Sequence, residues 1–305
     1  MAKRVKSAIT LVIVLVLLVS CGNAPETEAS SEETEETTIA TTTTAETTAV
    51  ETEPAYPGFE YTVNAPLVMK SASNTKPVVF YRDVNAIKGR ITYPEGNGPF
   101  KTIIISSGLY GRLGRYSNKV KSYTERGYAV VEFNFQNGAP PPGYADPEYL
   151  GDFIYDEVLD LFAVIDSMKY IPEVDISNLY LYGHSMGGLV ASYCGTMRQD
   201  QIKGLILVDP SFYAADIMNF EGEETITTDI YPLFAECEIP AVLITGTEGS
   251  FGEDPHFFDE AMEAFPNIEY VVIDGADHHM DGAASEKVVE RSIEAMTSWE
   301  VAEMA

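Results

Sequence analysis

The chain has few of the residues that build disulfide scaffolds, metal sites or polyanion-binding surfaces. It contains three cysteines, four histidines and one tryptophan in 305 residues. The cysteines have no spacing typical of a metal site, and we expect Cys194 and Cys237 to be buried apolar residues rather than a disulfide. Lysine and arginine total 19 against 47 aspartates and glutamates, which gives a formal net charge of −28. This charge disfavours nucleic acid and other polyanions as partners.

The apolar run near the N-terminus, Ala8–Val19, is too short for a comfortable transmembrane helix. Three cations precede it, and it ends in Leu18-Val19-Ser20-Cys21. This arrangement is typical of a secretory signal peptide, and the last four residues resemble a bacterial lipobox. The resemblance implies cleavage before Cys21 and lipid attachment to that cysteine, so residues 1–20 are predicted to be a lipoprotein signal peptide. An uncleaved anchor and an ordinary signal peptide are the alternatives.

The segment from Gly22 to Pro54 lacks aromatic and basic residues altogether. It consists mainly of threonine, glutamate, alanine and serine, and it carries nine of the acidic residues. Such a composition cannot bury a core, so we predict a disordered tether over residues 21–55 and a folded domain over residues 56–305. With a lipid on Cys21, the domain would be held at the extracellular face of a bacterial cell membrane.

One short motif dominates the folded part of the sequence. The apolar run at Leu179–Tyr182 ends in Gly183-His184-Ser185-Met186-Gly187, a G-x-S-x-G pattern that is followed by a helix-compatible segment. This order is typical of a nucleophile elbow, in which a strand delivers a serine on a tight turn and a helix begins immediately afterwards. Glycines on either side allow the close approach of strand and helix while Ser185 adopts a strained conformation.

Apolar runs that alternate with helical patterns surround this motif. Val78–Tyr81 and Ile87–Tyr93 predict an antiparallel edge, and Asp152–Lys169 and Ser285–Trp299 have apolar residues at helical spacing. The remaining strands lack strict alternation, so we expect parallel strands that are buried on both faces, in a doubly wound α/β sheet. These runs are Thr102–Ser106, Ala129–Phe133, Leu179–Tyr182, Leu205–Val208, Ala241–Thr245 and Tyr270–Ile273.

With this order of elements and motifs, residues 67–300 resemble the α/β-hydrolase superfamily. The resemblance implies a single catalytic domain with that fold. In the family, the loop after the first long parallel strand usually reads His-Gly, and here it reads Ser107-Gly108. The matching positions imply that the backbone N–H groups of Leu109 and Met186 form an oxyanion hole.

A histidine follows the last predicted strand, where a serine nucleophile would need a base. Gly275-Ala276-Asp277-His278 fits the Gly-Ala-x-His pattern of the family, so the resemblance assigns the base to His278. His184 lies inside the elbow and is expected to be structural. The acidic residues and His279 around His278 could be misread as a metal cluster, but no metal or cofactor is expected.

The acid that would orient His278 is ambiguous. Family members usually carry it in a Gly-x-x-Asp turn after the strand at Ala241–Thr245, but Gly249 occupies that place here. Glu248 lies one position earlier and Asp254 several positions later. Some lipases and related esterases carry the acid one strand earlier, where this chain has Asp209-Pro210. We prefer Asp209, with Glu248 as the alternative and Asp254 as the third candidate.

The resemblance implies a serine hydrolase that cleaves carboxylic esters through an acyl-enzyme, on a small-molecule or exposed polymer-linked substrate. The short segment between Asp209 and Ala241 leaves little room for a large lid, and Tyr144 and Tyr149 are candidates for substrate contact. A peptidase or amidase with the same triad is one alternative. A lipoprotein that keeps the fold but binds a ligand without turnover is the other.

Overall fold

The computed structural model describes residues 61–136, 147–212, 231–248 and 256–303. All of them belong to one compact unit, residues 47–305. The predicted signal peptide, Cys21 and the tether lie outside the described residues, and so do Asp254 and the side chains of Tyr144 and Tyr149. Most of the segment between Asp209 and Ala241, which leaves little room for a large lid, also lies outside the described residues. No helix within the described ranges is long and apolar enough to cross a membrane.

Nine strands form one sheet in the part of the chain that the structure describes, in the order β1-β2-β3-β5-β4-β6-β7-β8-β9. The strands β1, β2, β3 and β5 pair antiparallel, and every pair from β5 through β4 to β9 is parallel. The predicted antiparallel edge and parallel sheet are therefore confirmed. Their bounds are β1 Leu67–Val68, β2 Thr75–Arg82, β3 Asn85–Thr92, β4 Phe100–Ser106, β5 Ala129–Phe133, β6 Val174–His184, β7 Ile202–Val208, β8 Ala241–Glu248 and β9 Ile268–Asp277.

Helices connect the strands and cover both faces of the sheet. The two helices predicted from periodicity are present as α2 and α6, and α3 follows the elbow as the motif requires. The helices are α1 Ser117–Glu125, α2 Pro147–Ser167, α3 Met186–Met197, α4 Tyr231–Phe234, α5 Asp259–Ala264 and α6 Ala283–Glu303, and a 3₁₀ turn at Met168–Tyr170 extends α2.

Alternate residues of the central strands enter two different cores. In β6, Leu179 and Leu181 pack under α2 and α3 with the first core, whereas Tyr180 and Tyr182 pack with α1 and α6 in the second. The side-chain period of two along a strand explains this division. Cys194 and Cys237 are both buried free thiols, as predicted from the sequence.

The strand β9 departs from the expectation that the parallel strands are buried on both faces. It is the last strand of the sheet, and Tyr270 and Val272 are 38% and 49% exposed. The apolar run at Tyr270–Ile273 thus marks an edge strand with one open side. A run of four β-forming residues carries no information about whether a neighbouring strand or helix will cover it.

The carboxyl ends of β4, β6, β7, β8 and β9 meet along one edge of the sheet, because these strands are parallel. Ligands in open α/β sheets bind outside the carboxyl ends of the strands. Ser185, Asp209, Glu248 and His278 all lie at this edge, within one residue of the end of a strand.

Candidate active site

Ser185 occupies a strained turn between β6 and α3. Its φ of 56° and ψ of −125° lie in a region that residues with a side chain rarely adopt. The glycines on either side permit the turn: a Cβ on Gly183 would lie 2.4 Å from the oxygen of Gly187, and one on Gly187 would lie 2.3 Å from the oxygen of Ser106. The sequence Gly183–Gly187 therefore folds as the predicted elbow.

Hydrogen bonds fix the elbow to the end of β7. The N–H of Ser185 donates to the carbonyl of Val208 at 3.1 Å, and the N–H of Ser211 donates to the carbonyl of Ser185 at 2.9 Å. The two hydroxyls also meet, since Ser185 Oγ lies 3.2 Å from Ser211 Oγ. Ser185 and the residues that follow β7 are therefore held as one unit.

Asp209 forms a short hydrogen bond with His278 through Oδ2 and Nδ1. Its other oxygen, Oδ1, accepts a hydrogen bond from Thr245 Oγ1 at 2.7 Å, and its N–H donates to the carbonyl of Ile244 at 2.8 Å. The carboxyl group is fully buried, whereas the His278 side chain is 19% exposed. A carboxylate at Nδ1 favours the tautomer that has its proton on Nδ1, so Nε2 is left as the basic nitrogen.

Glu248, the alternative acid, lies at the end of β8 and is exposed. Its register partner in the sheet is Asp277, the residue before His278. The two acids thus flank the histidine loop in different ways: Asp209 contacts the ring from the buried side, and Glu248 sits on the solvent side of the neighbouring strand.

The loop after β4 passes directly against the elbow. A Cβ on Gly108 would lie 2.9 Å from Ser185 Cβ and 3.1 Å from the carbonyl oxygen of His184, so only glycine fits there. The N–H of Gly111 closes the turn by donating to the carbonyl of Gly108 at 2.8 Å. Leu109 lies within this turn, and Met186 is the first residue of α3, where helix N–H groups lack intrahelical acceptors.

His184 connects this loop to the histidine loop. The N–H of Gly108 donates to Tyr116 Oη at 3.3 Å, and Tyr116 Oη lies 3.1 Å from His184 Nδ1. His184 Nε2 lies 2.6 Å from the carbonyl oxygen of His278, to which it can only donate. Burial, followed by the nearby His278, lowers the pKa of His184 to about 3, so the ring is neutral. His184 is expected to be structural, and its hydrogen-bond partners are Tyr116 and the carbonyl of His278.

The side chain of Lys119 holds the backbone that follows His278. Lys119 Nζ donates to the carbonyl of Met280 at 2.7 Å, and Met280 has a positive φ of 51°. Burial lowers the pKa of Lys119 to about 8. No cluster of histidine, cysteine, aspartate or glutamate within the described residues could hold a metal ion.

Three contacts of the site were not predicted from the sequence. Tyr116, Ser211 and Thr245 bond His184, Ser185 and Asp209 respectively. Ser211 and Thr245 stand close to strand ends at the same sheet edge, which is a usable signal. Tyr116 carries no motif of its own.

A cavity of about 270 Å³ opens beside the Gly108 turn. The exposed Tyr110 and Arg112 stand at its mouth, and the buried Phe135 and Glu157 line its inner wall. We call it the Glu157 cavity. Gly108 lines this cavity and also lies against Ser185. The cavity therefore adjoins the reactive edge of the sheet.

Solved structures with the same fold include esterases and a peptidase. Est1E from Butyrivibrio proteoclasticus with bound ferulic acid has a TM-score of 0.55 and 19% identity, with coverage of 70% of this chain and 96% of that one. Acetyl xylan esterase 1 from Thermoanaerobacterium sp. JW/SL YS485 has a TM-score of 0.57 and 14% identity, covering 77% and 87%. Proline iminopeptidase from Mycobacterium smegmatis has a TM-score of 0.57 and 11% identity, covering 74% and 99%.

Sequence comparison gives a weaker match than structural comparison. The family model described as serine aminopeptidase, S33, matches residues 97–236, somewhat less than half of the chain. Among curated protein sequences, none matches this chain at the required significance. The sheet order, the elbow and the structural neighbours together confirm the predicted architecture: the chain has the α/β-hydrolase fold.

Proposed function

We propose that this protein is a serine hydrolase that cleaves carboxylic esters through an acyl-enzyme, with Ser185, His278 and Asp209 as its triad. One observation carries the proposal above all others. The fully buried Asp209 is bonded to His278, while Ser185 stands on a strained turn and touches Ser211, two residues after that same aspartate. Such an arrangement of acid, base and nucleophile is typical of acyl transfer.

In the first half of the reaction, Ser185 Oγ attacks the carbonyl carbon of the ester and His278 Nε2 takes the hydroxyl proton. Asp209 holds the Nδ1–H tautomer and stabilises the imidazolium that forms. The C–O bond to the alcohol then breaks, and the alcohol leaves with the proton from Nε2. The ester carbonyl is now bonded to Ser185 as an acyl-enzyme.

The N–H groups of Leu109 and Met186 are the proposed donors to the oxyanion of each tetrahedral intermediate. One such donor is worth about 2.7–4 kcal/mol of barrier lowering in other hydrolases. In the second half, water attacks the acyl carbon, gives its proton to His278 Nε2, and Ser185 leaves with that proton. The free acid is released, and the reaction needs no cofactor.

Hydrolysis of an amide by the same residues is the second candidate. It is favoured by the match of residues 97–236 to the serine aminopeptidase family model and by the similarity to a proline iminopeptidase. Ester cleavage is favoured by the similarity to Est1E and to acetyl xylan esterase 1. Chromogenic esters and amides with the same acyl group distinguish ester cleavage from amide cleavage, because the amine of an amide is a poorer leaving group than the alcohol of an ester.

The location belongs to the proposal as well. The basic start, the apolar run and Cys21 support a lipid-anchored enzyme at the extracellular face of a bacterial cell membrane, acting on small or polymer-linked esters. Replacing Cys21 with alanine should prevent labelling of the protein by a radioactive fatty acid. Equal labelling of both proteins would exclude lipid attachment at Cys21.

A series of p-nitrophenyl esters from acetate upward tests the chemistry. We expect the wild-type protein to hydrolyse the short esters and to react with a fluorophosphonate probe. Ser185→Ala should lose both properties, and kcat should fall by about 10⁴-fold or more. A well-folded wild-type protein that neither turns over esters nor takes the probe would support a ligand-binding protein instead.

A further inference from the structure

The Glu157 cavity is lined by an acidic side chain, one oxygen of which has no hydrogen-bond partner among the described residues. Glu157 lies on α2 and is only 2% exposed, and its Oε2 has no hydrogen-bond partner among the described residues. Buried carboxyl groups are rare in proteins unless they are paired, so an unpaired one calls for an explanation. One turn along the helix, Asp160 is ion-paired, because its Oδ1 lies 2.8 Å from Arg82 Nε, and its Oδ2 accepts a hydrogen bond from the N–H of Gln136 at 2.7 Å.

Burial favours the protonated form of the Glu157 carboxyl group. Burial, and after it the nearby Asp160, raises the pKa of Glu157 well above its ordinary value. A protonated carboxyl group donates one hydrogen bond and accepts others. On the cavity wall it can therefore bond a hydroxyl group of a ligand as donor and as acceptor.

The cavity is large enough for a ring, and part of its lining is apolar. An apolar cavity of about 150 Å³ holds benzene, so the 270 Å³ of this cavity hold a ring with substituents. Phe135 supplies an apolar wall. Asn134 also lines the cavity, and its Oδ1 accepts a hydrogen bond from the N–H of Leu113 at 2.9 Å.

We propose that the Glu157 cavity is a substrate subsite for a hydroxylated six-membered ring, and that Glu157 bonds a ring hydroxyl. The inference rests on the proposed function, because the subsite adjoins Ser185 through Gly108. The ring is either a phenol on the acyl side of the ester or a sugar on the alcohol side. Both present a hydroxyl group on a ring of the same size.

Two ester pairs distinguish the sources of the ring. Methyl 4-hydroxycinnamate and methyl cinnamate differ by one hydroxyl on the acyl side. Glucose monoacetate and cyclohexyl acetate differ on the alcohol side in the ring hydroxyls, the ring oxygen and the hydroxymethyl group. With the full chain in mild detergent, we expect kcat/KM to be at least about tenfold higher for the hydroxylated ester in one pair, because a site built to bond a hydroxyl discriminates against its absence.

Substitutions at Glu157 test the residue. Glu157→Leu should bring the kcat/KM ratio of the preferred pair to within about twofold of one, while Glu157→Gln, whose amide still donates and accepts, should keep it within about threefold of wild type. Tyr93→Phe is the control, since the buried hydroxyl of Tyr93 also has no hydrogen-bond partner among the described residues, and Tyr93 follows β3 directly and does not line the cavity. It should leave both the ratio and the rates unchanged.

Binding to Ser185→Ala gives a readout that needs no change at Glu157. By calorimetry, its Kd for the hydroxylated ester should be at least about fivefold lower than for the plain one. Equal Kd values, ratios near one for both pairs in the wild type, or an unchanged ratio in a folded Glu157→Leu would overturn the subsite. Hydrolysis of plain esters that is lost in Ser185→Ala would still stand, so the two proposals fail separately.

Discussion

Asp209 and Glu157 are both buried carboxyl groups near the same edge of the sheet, but their surroundings differ. Asp209 bonds Thr245 and His278, so each of its oxygens has a partner from the protein. Glu157 faces a cavity, and its Oε2 has no partner among the described residues. The protein supplies hydrogen-bond partners for both oxygens of Asp209. In the proposed subsite, a ligand supplies the partner that Glu157 lacks among the described residues.

The difference separates two tasks that one active site must perform. A group that orients a base must keep its geometry whether or not substrate is present, so its contacts come from rigid strands. A group that recognises substrate must keep hydrogen-bonding capacity for it. The contrast between the two carboxyl groups can be tested by substitutions on each side.

Substitution of Asp209 should have the largest effect. Asp209→Asn keeps the shape but presents the wrong hydrogen-bonding pattern to His278, and we expect kcat/KM for p-nitrophenyl acetate to fall by about 10³–10⁴-fold. Glu248→Gln is the matched control and should stay within about twofold of wild type. A greater loss in Glu248→Gln than in Asp209→Asn would move the role of the acid to Glu248.

Substitution of Gly108 should come second, because it disturbs the wall that the two regions share. In Gly108→Ala the new Cβ meets Ser185 Cβ at 2.9 Å, so the loop that carries Leu109 must shift. A misplacement of about 1 Å costs on the order of 100-fold in rate, and we expect such a fall in kcat with a similar KM. Activity within twofold of wild type would show that the loop is not part of the catalytic machinery.

Loss of the Tyr116 hydroxyl should have a smaller effect on the rate. Tyr116→Phe removes the acceptor of the Gly108 N–H and the partner of His184 Nδ1, and so loosens both neighbouring loops. We expect kcat to fall by about three- to tenfold, which corresponds to roughly one hydrogen bond. Tyr93→Phe, in which a hydroxyl without a partner is lost, should leave kcat unchanged. Equal effects of the two substitutions would contradict the role of Tyr116.

Substitution of Glu157 should change stability, with a sign opposite to that expected for a paired carboxyl. Burial raises the pKa of Glu157 in the folded protein well above its ordinary value, so ionisation opposes folding, and stability falls as the pH rises above that ordinary value. Glu157→Gln does not titrate. We expect its Tm to exceed that of the wild type by a few degrees at pH 8, at about 2–4 °C for each kcal/mol, and by less at pH 4. A difference that does not grow with pH would contradict the raised pKa of Glu157.

The part of the site that could be predicted from the sequence is the part that lies in local motifs. The elbow lies within five consecutive residues, and the strand before it and the helix after it have simple patterns, so Ser185 and the fold class could be predicted. Three acids remained as candidates, because Asp209 and Glu248 both stand at strand ends on the same sheet edge and Asp254 follows a few residues after Glu248. Only packing decides that Asp209 faces the ring of His278 while Glu248 faces solvent.

Two polar groups at this edge of the sheet, Glu157 and Tyr116, were not recognised from the sequence. Glu157 falls between Ile154, Val158 and Leu161, which are all fully buried residues on the apolar side of α2. A charged residue on such a stripe is a signal of an unusual environment, but periodicity alone does not tell a cavity from an ion pair. Tyr116 lies just before α1, where no spacing rule connects it to His184.

The site is assembled from residues that are far apart in the chain. Asp209 and His278 are separated by 69 residues, and His184 and the His278 carbonyl by 94. Contacts of such long range slow folding, because the loops between them must be closed at an entropic cost before the contacts form. Since β9 brings the histidine to the sheet from its outer edge, enzymatic activity during refolding would return only when this last strand has docked. The rate at which activity recovers would then measure the rate at which the sheet is completed.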